Sequence, residues 1–94
     1  ETGFAAARLT PLLDCPSSSG LTDEIISFFL AEDLRRVSPG GGDASEDIEV
    51  HLVPLSGASE WLSRNRAAGV MLDPKVYAAL LWLDRRSRGL APIP

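Results

Sequence analysis

The stretch Ser45-Glu46-Asp47-Ile48-Glu49-Val50-His51-Leu52-Val53-Pro54-Leu55 constrains the fold more than any other part of this 94-residue chain. Ile48, Val50 and Leu52 alternate with Glu49, His51 and Val53, a period of two that predicts a strand with one face buried and the other partly wet. Pro54 ends the segment, because proline has no N–H to give to a ladder. Upstream, Gly40-Gly41-Gly42 brings the chain to this strand without a fixed approach path. The pattern therefore predicts a central strand fed by a mobile acidic loop over residues 38–45. Glu46 and Asp47 fall at the junction, where a carboxylate can swing over a neighbouring site while its backbone is anchored a residue or two later.

Ninety-four residues allow one small domain with a modest core. The longest apolar run, Ile25 to Ala31, is far too short to span a bilayer, so no membrane role is expected. A net charge of −4 argues against general nucleic-acid binding, which needs clustered Lys and Arg to neutralise phosphates. A phosphate-bearing ligand would instead need a metal bridge. The single cysteine, Cys15, cannot form an internal disulfide, so a reducing, cytoplasmic location is expected, with the thiol buried or half-buried.

The remaining elements follow from local signals. Leu9-Thr10-Pro11-Leu12-Leu13 predicts a strand interrupted by Pro11, hence an edge or a bulge. Asp14 to Gly20 is a turn by composition. Ile25-Ile26-Ser27-Phe28-Phe29-Leu30-Ala31 predicts a second strand covered on both faces. Beyond Pro54 the period changes: Ala58, Trp61 and Leu62 predict a short helix with Ser56 as cap and Gly69 as stop. Asp73-Pro74 starts a second helix, with Val76, Ala79, Leu80 and Leu83 as its apolar stripe. Arg85, Arg86 and Arg88 suit its C-terminal dipole, and Gly89, Pro92 and Pro94 end it. Trp61, Tyr77 and Trp82 are read as core, and His51, without a second ligand nearby, as a packed or surface histidine.

Four segments together carry a resemblance. Glu1-Thr2-Gly3-Phe4 is similar to the last four positions of the Nudix box. Ser19-Gly20-Leu21-Thr22-Asp23-Glu24 resembles the S-P-G-x-x-x-E loop of ADP-ribose pyrophosphatases, with Ser19 where proline is usual. Glu46 to Leu55 resembles the acidic loop and strand of that subfamily, and Gly69 to Trp82 its closing helix. The resemblance implies that residues 1–94 are the C-terminal portion of a single Nudix hydrolase domain. That portion would belong to an α/β/α sandwich with a mixed sheet, in the order strand, strand, strand, helix, helix. It would be inactive alone, with the box arginine and the other box glutamates upstream of Glu1. A homodimer of the intact protein is expected.

The implied activity is Mg²⁺- or Mn²⁺-dependent hydrolysis of the pyrophosphate of ADP-ribose or a related nucleoside diphosphate sugar, giving a nucleoside monophosphate and a sugar phosphate. By resemblance Glu1 is a metal ligand, Glu46 a metal ligand or the general base, and Gly20 and Glu24 contact substrate. Hard divalent cations take carboxylate oxygens, and a loop carboxylate can reach an attacking water on closure, so the residue types suit the chemistry. Some relatives carry another acid where this chain has Ala44, which leaves Asp43 and Asp47 as weaker substitutes for Glu46. The competing reading is a non-catalytic binding or scaffold module that keeps a Nudix-like fold.

Overall fold

The computed structural model describes residues 1–91, so the expected role of Pro92 and Pro94 lies outside the described residues. The chain is a small α/β structure with two antiparallel strands and two α-helices, which divides between Val50 and His51 into two units.

In the first unit, β1 (Phe4–Pro16) and β2 (Ile25–Arg36) form a long antiparallel hairpin. The register runs from Phe4 opposite Arg36 to Pro16 opposite Ile25 and slips between Pro11 and Leu13, which is the irregularity the proline predicts. Arg8 faces Glu32 across the ladder and pairs with it at 3.1 Å. Ile26, Phe28 and Leu30 are half-buried on one face, but Ile25 and Phe29 are 58% and 55% exposed. The expected burial of β2 on both faces is therefore not reached among the described residues. Apolar content made both faces suitable for burial, but a hairpin alone supplies no second layer to cover them.

The expected third strand is corrected: residues 46–54 pair with no ladder, and among the described residues the sheet is the antiparallel pair β1–β2, without the expected mixed sheet or sandwich. The alternation of Ile48, Val50 and Leu52 marks which side of an extended segment would be buried. A strand also needs a neighbour offering N–H and C=O groups in register, and among the described residues the sheet holds no strand beside β1 and β2. Ile48 and Leu52 are 39% and 63% exposed.

The second unit begins with a 3₁₀ turn at Leu55–Gly57 that runs into α1 (Ala58–Ala67). Ser56 lies inside that turn and does not cap; Gly57 occupies the N-cap position without a side-chain bond. Leu62 is the one buried large apolar side chain among the described residues, and the His51 ring sits 5.1 Å from that of Trp61. The second helix, α2 (Pro74–Ser87), starts as predicted: the Lys75 N–H donates to the Asp73 carboxylate at 2.8 Å, with Pro74 in the first turn. Both helices stop the same way. Gly69 and Gly89 adopt φ of +93° and +68°, and the paired bonds from Gly69 to Arg66, Val70 to Asn65, Gly89 to Arg86 and Leu90 to Arg85 close the last turns. Arg85 also donates to the Ala91 carbonyl, and Arg88 pairs with Asp84 at 3.1 Å. Tyr77 is 49% exposed rather than core. None of the described helices is long and apolar enough to cross a membrane.

Candidate functional site

The residues before β1 and after β2 meet at the open end of the hairpin. Because Phe4 and Arg36 close the ladder, Gly3 and Val37 are the next pair out, and the Gly3 carbonyl accepts from the N–H groups of Val37 at 2.8 Å and Ser38 at 3.2 Å. The Glu1 carbonyl then accepts from Gly41 N–H at 2.7 Å. This approach is closer than a side chain would permit. A Cβ on Gly3 would lie 2.3 Å from the Ser38 carbonyl oxygen, and one on Gly40 would lie 2.6 Å and 2.7 Å from the carbonyl oxygens of Thr2 and Glu1. The glycine-rich segment, expected from its composition to be a free tether, is thus bonded to the backbone of Glu1–Gly3. Here glycine serves close packing as well as turning.

The next residues form a tight acidic turn. Glu46 N–H donates to the Asp43 carbonyl at 3.1 Å, and Asp43 N–H donates to Glu46 Oε1 at 3.3 Å. The Asp43 carboxylate accepts from the Ser45 N–H at 2.8 Å and from the Ser45 hydroxyl. The Glu46 side chain reaching back to the Asp43 N–H is one half of a capping box, with the two acids three residues apart; the Asp43 carboxylate bonds Ser45 instead, and no helix follows. The Ser45 hydroxyl and N–H hold the Asp43 carboxyl below the ordinary value of 3.8. The Glu46 carboxylate folds over Gly42, where a Cβ would meet it at 2.7–2.8 Å.

Glu1 and Glu46 therefore meet the same short glycine run. Glu1 bonds Gly41 through its backbone, and Glu46 packs on Gly42, about 3.8 Å further along the chain from Cα to Cα. Gly20 and Glu24 are not brought there. They lie in the turn at the opposite end of the hairpin, about 40 Å away along the 13-residue β1. In that turn the Leu21 and Thr22 N–H groups donate to the Ser18 carbonyl, and the Ser17 N–H to that of Glu24. A Cβ on Gly20 would touch nothing, so this position does not require glycine for space.

Glu1 and Glu46 have the oxygen donors a hard divalent cation takes. Even so, no group of three or more His, Cys, Asp or Glu among the described residues could hold a metal ion, so the donors present do not make a metal centre. An open depression of about 360 Å³ on α1, lined by Ser59, Glu60, Ser63 and Arg64, contains none of the candidate residues.

Sequence reasoning overlooked Arg36, Gly3 and Gly40 as parts of this corner. Its signals were a glycine on each side of the hairpin's open end and an arginine as the last residue of β2. Both gain meaning only once the strands are paired.

Comparison with known proteins yields no matching family model and no matching solved structure. Curated proteins do match. The chain is 35% identical over 86 residues to the GDP-mannose pyrophosphatase of Enterobacter sp. (strain 638), covering 89% of this chain and 43% of that protein. It is 36% identical over 86 residues, with the same coverage, to the GDP-mannose pyrophosphatases of Escherichia coli O1:K1 / APEC and of E. coli strain SMS-3-5 / SECEC. The chain thus spans less than half the length of these relatives. The similarity supports a relationship to the Nudix hydrolases.

Proposed function

We propose that this chain serves a Nudix pyrophosphohydrolase that cleaves a nucleoside diphosphate sugar into a nucleoside monophosphate and a sugar phosphate. The observation that carries this reading is the similarity, over 89% of the chain, to proteins named for pyrophosphate cleavage of GDP-mannose. Those names make GDP-mannose the first substrate to test and ADP-ribose, suggested by the loop motifs, the second. The corner where the Glu1 backbone and the Asp43–Glu46 turn meet one glycine run supports it, because the Asp43 and Glu46 carboxylates lie together on a loop held beside Glu1. On this reading Glu46 leaves the Asp43 N–H to orient or deprotonate the attacking water. Dependence on Mg²⁺ or Mn²⁺, with Glu1 as one donor, belongs to the same proposal, as does a homodimer. Gly20 and Glu24 are proposed to contact substrate from the far hairpin turn, which the length of β1 separates from Glu46 within one copy.

The test is incubation of the intact protein that carries this chain with GDP-mannose or ADP-ribose and Mg²⁺, following phosphorus resonances for paired monophosphate products. Appearance of both products, abolished by EDTA, is the expected result. The competing reading is a non-catalytic scaffold that keeps a Nudix-like fold. It predicts binding of the nucleotide sugar without turnover at any metal concentration.

A further inference from the structure

We propose that Arg36 is a positioning residue that latches the Ser38–Gly42 loop onto Glu1–Phe4 and so holds the Asp43–Glu46 turn beside the Glu1 backbone. Its effect on turnover rests on the pyrophosphohydrolase reading; the latch itself does not. Phe4 and Arg36 are direct partners in the last rung of the ladder, so their side chains emerge on the same face. The Arg36 guanidinium carbon lies 5.5 Å from the centroid of the Phe4 ring, within cation–π range. From that platform its Nε donates to the Ser38 carbonyl at 3.3 Å and its Nη2 to the Pro39 carbonyl at 3.4 Å.

These bonds are long, and their importance lies in where they act. Nearby, the N–H groups of Val37, Ser38 and Gly41 are given to the carbonyls of Gly3 and Glu1. Arg36 takes two carbonyls of the same loop, so donors and acceptors of the segment are both tied to the end of the hairpin. The bare approach of Gly3 and Gly40 permits this contact, and Arg36 fastens it. A lysine could not replace it fully, because a point charge on a flexible stem cannot stack flat on the ring while spanning two successive carbonyls. Glu46 follows this loop by a few residues, with its carboxylate packed on Gly42, so release of the loop would free the turn as well.

The experiment measures amide hydrogen exchange by NMR in the protein without metal or substrate, for wild type, Arg36→Gln and Arg36→Lys. After correction for intrinsic rates, Val37 and Gly41 amides should exchange about tenfold faster in Arg36→Gln, with Arg36→Lys in between. The Ser17 amide, bonded to Glu24 at the far end of the hairpin, should keep its rate. In the intact protein that carries this chain, with GDP-mannose, kcat of Arg36→Gln should fall about tenfold with KM changed less than about twofold. Unchanged Val37 and Gly41 rates overturn the latch, as does an equal acceleration at Ser17, which would mean general loosening. Faster loop amides with wild-type kcat overturn the positioning role. A wild-type protein that turns over neither nucleotide sugar removes the hydrolase reading, while the amide comparison still decides the latch.

Discussion

Replacing Gly40 by alanine tests whether close backbone packing, rather than looseness, is what the glycine run provides. Gly40 has φ of +79°, and its Cβ would lie 2.6–2.8 Å from the Thr2 and Glu1 carbonyl groups, which are backbone and cannot rotate away. Holding alanine in the left-handed region costs about 1–2 kcal/mol. Forcing the strands of the corner apart adds about 1–3 kcal/mol, and the stiffer unfolded chain returns about 0.4–1 kcal/mol. The net destabilisation of the corner is about 3 kcal/mol, equivalent to roughly a hundredfold in an opening equilibrium. The assay is exchange of the Val37 and Gly41 amides, which should accelerate by that factor, with Gly20→Ala as control. Gly20 meets nothing within 4 Å, so its alanine variant should keep wild-type rates. Wild-type protection in Gly40→Ala, or equal loss in Gly20→Ala, would refute the close-packed corner.

Two further outcomes follow from named groups. Asp73→Ala should lower the helix content and melting temperature of α2 while Asp73→Asn keeps most of both, read by circular dichroism, because the carboxylate caps Lys75 N–H at 2.8 Å. The Lys75 ammonium and N–H depress the Asp73 pKa below 3.8, so its contribution is complete above that value and is lost as pH falls through the lower folded value; Asp73→Ala should not show that acid-side loss. Glu1→Gln should raise the Mg²⁺ concentration for half-maximal turnover by about tenfold or more without changing the circular dichroism spectrum, since an amide keeps the shape and loses the charge. An unaltered metal requirement would remove Glu1 from the ligands.

The parts of the fold legible in the sequence are those written in adjacent residues. Pro11 announced the slip in β1, and Asp73-Pro74 announced the start of α2. Gly69 and Gly89 announced both helix stops. Each depends on the geometry of one or two residues and needs no distant partner. The segment from Ile48 to Val53 failed for the opposite reason: its alternation was real, but a strand exists only in a ladder, and the pattern carries no information about who pairs with it. Ser56 failed as a cap because a 3₁₀ turn moved the start of α1 past it. For the candidate site, Glu46 was read as the junction of a mobile loop with a strand, and that strand does not form. The bond of Glu46 to Asp43 N–H was not read, although the two acids stand at capping-box spacing. The meeting of Gly3 with Ser38 and of Gly40 with Glu1 joins the two flanks of the hairpin's open end, which are far apart in sequence, and local periodicity does not record it.

The central claim is most directly tested by steady-state kinetics of wild type and Glu46→Gln on GDP-mannose and ADP-ribose at saturating Mg²⁺, with Asp43→Asn and Asp47→Asn beside them. A group that orients or deprotonates the attacking water acts in the transition state, so Glu46→Gln should lower kcat by about 10²- to 10⁴-fold with little change in KM. The aspartate variants should stay much closer to wild type. Cleavage of neither nucleotide sugar by the intact wild-type protein contradicts this role, as does normal turnover by Glu46→Gln while Asp43→Asn or Asp47→Asn is the crippled variant.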